Sequence, residues 1–428
     1  MLANFISNLV FIIAPSWTTW RIWKFTTLPY IHADDPKEYP YIFPFFGHLF
    51  TFFTNSANLM TGAQGKAGFP NPGEKAFGAL TRAIVMHQDS PGENLRTLEA
   101  RFLDYYNRNL RVEVISDGTN SAITCKHVDV SLYGWISQFT ARTTERSMFG
   151  ERLSRNHPDL ARNLLIYDEF IWQDLYQCPS ILTGKLTAAK KSMLRSMKEH
   201  FQTPRSQRPG ASWVTETLED ELRAPSVSED DMAIFMFTLY SANSRKLLFW
   251  TLTYLLFNPI FITQLRTETA DAFGDSNGGD LIHPDYFSNP NRYPILEAVV
   301  LETLRLTGNS VSIRHVKQDT HIGGKLFRAG AKVLVPYQVH RQRSGNLRPF
   351  GGGRSICPGR YLSSHSVKMC VAIMVRRFDM EVLGGIEGRK MPERDETKPG
   401  FGIVPVKKGD DFLVRFTDRD GGLRGKIF

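Results

Sequence analysis

At 428 residues, with 42% hydrophobic and 22% charged side chains, the chain is long and apolar enough to bury a real core, as one large domain or roughly two to three ordinary ones. A net charge of +9 suits an anionic partner, either a membrane surface or an acidic protein. Scattered Lys and Arg, with no zinc-finger, basic-region or RNA-binding signature, argue against nucleic acid.

The first segment reads MLANFISNLVFIIAPSWTTWRIWKF. Leu2 to Trp20 carries no charge, close to the ~20 residues that a membrane-spanning helix needs. Arg21 and Lys24 follow, and Trp17, Trp20 and Trp23 stand at interface-like positions. Residues 1–24 are therefore expected to form a membrane anchor. A merely apolar amphipathic segment stays open, because Asn4, Asn8 and Pro15 interrupt the run. No basic n-region or small-residue cleavage site points to a signal peptide. Pro36, Pro40 and Pro44 then exclude helix, so residues 25–50 read as a stiff linker onto one domain over 51–428.

From about residue 76 apolar residues recur at three- and four-residue spacings. They predict helices in EKAFGALTRAIVMH, NLRTLEARFLDYYNRNL, SLYGWISQFTARTTERSMF, DLARNLLIYDEFIWQDL and TAAKKSMLRSMKEHF. A longer helix is predicted over 229–258, with an acidic start, a stop at Pro259 and apolar residues on nearly every face, as in a helix that crosses an interior. PIFITQLRTETADAF and YPILEAVVLETLRLTG continue the helical pattern. SIRHVKQDTHIGGKLFRAGAKVLVPYQVH alternates around glycine turns and reads as short strands. SSHSVKMCVAIMVRRF returns to helix, FDMEVL to strand, and GIVPVKKGDDFLVRF to a hairpin turning at Lys408–Gly409. The fold class is mainly α with small β-sheets.

Chemistry concentrates in RPFGGGRSICPGRYLSSH. The four cysteines, Cys125, Cys178, Cys357 and Cys370, form no CxxC pair and no cluster at zinc spacing, and they are too sparse for a disulfide framework. Cys357 follows Gly351–Gly353 and precedes a predicted helix. Glycines let the backbone approach a flat ligand, and a helix amino end stabilises the thiolate that binds metal. Pro358 suits a first helical turn, and Gly359 leaves room against the backbone. No GK[ST] follows, so a phosphate cradle fits poorly. Spacing alone leaves a loop cysteine and a metal ligand both open.

FGGGRSICPGR, Phe350 to Arg360, resembles the haem-binding loop of the cytochrome P450 family, whose cysteine is the axial ligand of haem iron. Glu302 and Arg305 in LETLRL resemble that family's ExxR pair, although by spacing alone they are an ordinary i,i+3 ion pair. PYIFPFFGH is similar to the proline-rich hinge after the anchor. SIRHVKQDTHIGGKLFRAGAKVLVPYQVHR resembles the sheet after ExxR, with Arg314 where a propionate contact is often found. The resemblance implies the P450 fold, haem b, Cys357 as iron ligand, and Phe350, Gly353, Arg354, Gly359 and Arg314 around the haem.

Departures from the family pattern are specific. Ser355 stands where Arg or His is usual, two residues before the cysteine. Only QRSGN lies between Arg341 and Leu347, where the family carries a meander with the third partner of ExxR. The first sheet strands expected near 62–75 are not evident, and no WxxxR-like motif follows. In LYSANSRKLLFW, Asn243 and Ser244 occupy the place of the usual acid–Thr pair and are the candidate distal residues. This segment is similar to the branch of prostacyclin synthase and the sterol 7α- and 12α-hydroxylases. The implied activity is oxidation of a lipophilic small molecule such as a terpenoid or steroid. It uses O2 and electrons from an NADPH–cytochrome P450 reductase at the endoplasmic reticulum membrane, with the haem domain facing the cytosol. A haem-thiolate isomerase or dehydratase without a reductase, and a truncated non-catalytic relative, stay open.

Overall fold

The computed structural model describes residues 15–31, 84–119, 127–175, 178–223, 227–241, 244–273, 280–281, 283–309, 311–336, 348–352, 356–397 and 402–419. Most of the expected linker and the stretch 62–75 lie outside the described residues. Residues 15–31 form a helix that passes through a π turn at Trp23–Thr27, where Arg21 lies 5.2 Å from the Trp17 ring. Among the described residues no single helix is long and apolar enough to cross a membrane.

Two compact units divide the rest. The larger takes Lys75–Thr307, Cys357–Arg394 and Pro405–Phe428. Its helices are α1 (84–89), α2 (Glu93–Asn109), α3 (Val112–Thr119), α4 (Leu132–Phe149), α5 (Glu151–Asn156), α6 (Leu160–Leu175), α7 (Gly184–Gln202), α8 (Trp213–Arg223), α9 (Glu229–Ser241), α10 (Arg245–Leu256), α11 (Pro259–Glu268), α12 (Pro294–Thr307) and α13 (Arg360–Arg377). The helices expected from periodicity between residues 93 and 202 and over 259–307 and 363–377 are present, EKAFGALTRAIVMH is described only from Ile84 onward, and α3, α5 and α8 are additional.

The core is organised by α13. Every residue from Ser366 to Val375 is buried, and α2, α10, α11 and α12 all pack on this helix. A helix apolar on all sides is stable only when surrounded, since each fully buried Val, Ile or Met contributes about 1.5–3 kcal/mol. Lys368 is the charged exception. Its ammonium pairs with Glu297 of α12 and lies 5.1 Å from the Tyr293 ring. A second ionic knot gathers Arg205, Arg208 and Arg223 around Glu219 of α8.

The long central helix predicted over 229–258 is interrupted. Ser228 caps α9 by accepting from the Asp231 amide at 3.1 Å, in keeping with the acidic start. At the far end Ser241 Oγ turns back onto the Thr238 carbonyl at 2.9 Å, and Ser244 is non-helical, with φ −104° and ψ 14°. Short hydroxyl side chains that bond nearby backbone compete with the helix, and two of them flank this break. As expected, the helical segment stops just before Pro259, which opens α11 at its first position.

Beside the break lies a neutral acid. Glu145 of α4 is 1% exposed, and among the described residues neither its Oε1 nor the hydroxyl of fully buried Tyr240 on α9 has a hydrogen-bond partner. Burial raises the Glu145 pKa from 4.5 to about 8, against the pull of Arg146 and Arg142. The folded state therefore favours the protonated acid. The resulting stability is fully present below pH 4.5, declines as the unfolded chain ionises, and is gone above about pH 8. Glu145→Gln is expected to gain a few kcal/mol at pH 8 and nothing at pH 4, read from urea unfolding at both values. Equal effects at the two pH values would contradict it.

Three antiparallel strands complete this unit in the order β1 (His127–Ser131), β7 (Leu413–Asp418), β6 (Phe378–Val382). Val128 faces Phe416 across the first pair, Met380 faces Phe416 across the second, and Phe378 stacks on Phe416 at 5.5 Å. The predicted turn at Lys408–Gly409 is present, with Gly409 at φ 95°, but it does not make a hairpin. Asp411 accepts from the Tyr133 and Gly134 amides and from Ser131, and the Leu132 amide donates to the Phe412 carbonyl. Those bonds deliver residues 413–418 to β1.

The smaller unit takes Met1–Glu74, Gly308–Ile356 and Asp395–Val404. As expected, it holds short strands around glycine turns. β2 (Val311–His315) pairs with β5 (Lys332–Pro336), and β3 (Thr320–Ile322) pairs with β4 (Lys325–Phe327). Gly323 and Gly324 make the latter turn at φ 58° and 75°.

Candidate functional site

Cys357 is an exposed thiol, in no disulfide, immediately ahead of α13. Gly359 caps that helix and its carbonyl accepts from the Ser363 amide at 2.8 Å. Arg360 reaches back to the Cys357 carbonyl at 3.1 Å and stacks on Tyr361 at 4.3 Å, which fixes the turn. An 18-residue helix with unpaired first-turn amides directs its positive end here, the environment that favours thiolate over thiol.

In the smaller unit, the Gly351 amide donates to the Arg348 carbonyl at 3.0 Å, with Gly351 in the left-handed region at φ 75°. Phe350 is half-buried in this turn. Arg314 donates to the Gly352 carbonyl at 3.3 Å, so β2 and the glycine turn meet. Gly353, Arg354 and Ser355 lie outside the described residues.

Glu302 and Arg305 form a bidentate pair on α12, at 2.6 and 2.5 Å, and these bonds hold the Glu302 carboxyl below its usual range. Their side chains are 53% and 32% exposed, so the pair has the geometry of a surface ion pair and contributes little to stability. Glu302 also walls a cavity of about 500 Å³ with Tyr254, Phe261, Ile295, Val299 and Leu306, a feature without a signature in the sequence.

At the helix break Asn243 lies outside the described residues, and Ser244 is half-buried. The neighbouring contacts are ionic. Buried Arg245 pairs with Asp168 of α6 and donates to Ser137 of α4 at 2.9 Å; Lys246 reaches the same Asp168 at 2.8 Å. Burial works to raise the Asp168 pKa, but the two cations outweigh it and hold the carboxyl well below its usual range. Sequence reasoning missed Asp168 and Ser137. The signal was present: two cations opening a helix oppose its dipole and call for a nearby acid. The helix residues Ser241, Ser244, Arg245 and Lys246 offer hydroxyls and cations, and the carboxyl groups beside them, Asp168 and Glu145, come from α6 and α4.

The cytochrome P450 family model matches residues 122–344 and 338–409, which contain the loop at Cys357, the ExxR pair and the helix break. The chain belongs to the cytochrome P450 family. It is similar to the 7-alpha-hydroxycholest-4-en-3-one 12-alpha-hydroxylase of Homo sapiens, 25% identical over 76% of this chain and 73% of the human one. It is also similar to the cytochrome P450 monooxygenase calL of Penicillium decumbens, 26% identical over 48% and 44%, and to cytochrome P450 7A1 of Rattus norvegicus, 26% over 41% and 42%. The chain spans about three quarters of the human relative's length and less than half of the other two.

Cytochromes P450 carry haem on one cysteine thiolate. The residues of this P450 fit that requirement. Among the described residues no three His, Cys, Asp or Glu converge into a protein-only metal site, whereas haem iron asks the protein for a single ligand. An exposed thiol at a helix amino end has the chemistry to supply one.

Proposed function

We propose that this P450 is a haem-thiolate monooxygenase that hydroxylates a lipophilic small molecule such as a steroid or terpenoid. Electrons come from an NADPH-dependent reductase at the endoplasmic reticulum membrane. The exposed thiol of Cys357 at the head of α13 carries the reading. Cys357 would ligate the iron, and Gly359 would keep the backbone clear. Bound haem would activate O2 for insertion into a C–H bond. The chain's own contributions are ligand charge, an apolar pocket and control of protons at the helix break, where Asn243 and Ser244 remain the candidate distal residues. The steroid class is supported by similarity to the human 7-alpha-hydroxycholest-4-en-3-one 12-alpha-hydroxylase.

The test is a reduced, CO-bound absorption spectrum of the full chain. A thiolate-type Soret band is expected, and a protein that takes up no haem would refute the assignment. The segment LYSANSRK itself carries no acid where the family has its acid–Thr pair, which favours a second reading, a haem-thiolate isomerase or dehydratase acting without a reductase. Product formation that needs no NADPH would select it.

A further inference from the structure

Asp89 ends α1 and is 7% exposed, and among the described residues its Oδ1 has no hydrogen-bond partner. Native structures rarely leave a buried carboxyl oxygen unpaired without a functional reason. The carboxyl is aimed at the amino end of α13: Oδ2 lies 3.5 Å from where a β-carbon on Gly359 would sit, two residues beyond Cys357. Burial raises its pKa from 3.8 to about 6, so at pH 7.5 the group is mostly ionised despite its enclosure.

The same helix end thus receives two anions, the Asp89 carboxylate and the Cys357 thiolate. The dipole and first-turn amides that steady the thiolate are shared with a second negative charge. Net charge and burial around an iron site set its reduction potential, and added negative charge favours the ferric state. We infer that Asp89 holds a fixed negative charge at the amino end of α13 that lowers the reduction potential of haem iron ligated by Cys357. This rests on the haem-thiolate reading. Asp89 acts through the ligand and touches neither substrate nor iron.

The experiment is a spectroelectrochemical titration of the wild-type holoenzyme, Asp89→Asn and Asp89→Glu at pH 7.5. Alkylation of each cysteine is followed in parallel by peptide mapping. Asp89→Asn removes charge at nearly constant shape and is expected to raise the potential. Asp89→Glu retains the charge and is expected to stay at the wild-type value. Cys370, which is fully buried, should remain unalkylated in all three. A potential unchanged or lowered in Asp89→Asn overturns the inference. So does a rise in both variants, or a rise accompanied by Cys370 labelling, since each marks loosened packing instead of charge. A wild type with no reducible haem band removes the parent reading and this inference with it, and the missing band tells that case apart.

Discussion

Cys357→Ala is expected to abolish the thiolate-type Soret band and substrate turnover together, while Cys178→Ala and Cys370→Ala leave both in place. The distinction follows from where each sulfur sits. Cys370 is wholly enclosed in α13 and burial pushes its thiol well above the usual range, so it is neither reachable nor readily ionised. Cys178 is half-buried, and its thiol is raised by burial too. Cys357 alone among these three is exposed and meets a helix amino end. The loss in Cys357→Ala should therefore be complete instead of graded, because neither of the other two can substitute. Reduced-CO spectra and turnover of the three variants decide it; a thiolate band surviving in Cys357→Ala would sink the ligand assignment.

Glu219→Ala is expected to cost about 3–5 kcal/mol of unfolding free energy, the largest single-residue effect on stability foreseen for this fold. Glu219 is 2% exposed and binds Arg208, which is 1% exposed; removing the carboxylate strands that guanidinium in the core. Arg205 and Arg223 are roughly two-fifths exposed, and solvent screens their share. Burial tends to raise the Glu219 pKa, but hydrogen bonds from Arg208 and Arg223 and the charge of Arg205 bring it below 4.5. A lowered folded-state pKa stabilises the fold above pH 4.5, and that stability drains away as acid protonates the carboxyl below it. Urea unfolding at pH 7 and pH 3 should show the deficit of Glu219→Ala shrinking in acid. A deficit under 1 kcal/mol at neutral pH would show that Arg208 finds another partner.

Helical periodicity carried most of the architecture because those helices bury one face. Leu95, Leu98, Phe102 and Tyr106 of α2 are all buried, at the spacing that predicted them. The helix break was overlooked because long apolar runs flank it on both sides, although SANSRK, residues 241–246, is a polar run whose hydroxyls at 241 and 244 compete for the backbone. β1 was missed because five residues alternating His-Val-Asp-Val-Ser have no meaning until a partner 280 residues away supplies the other half of the pair. At the site, the cysteine loop was readable because thiolate chemistry demands a specific local backbone. Asp89 and Asp168 were not, because their roles are set by what tertiary packing brings beside them.

The order of the three-stranded sheet bears on how the molecule is made. Its middle strand, β7, is the last to leave the ribosome, while its flanks, β1 and β6, are synthesised earlier. Neither flank can bond to the other, so the sheet stays unassembled until residue 418 is free of the exit tunnel. Nascent helices must wait with two unmatched strand edges showing, the kind of surface that chaperones cover. A stop anywhere before Leu413 would remove the keystone and leave a largely translated protein unable to close.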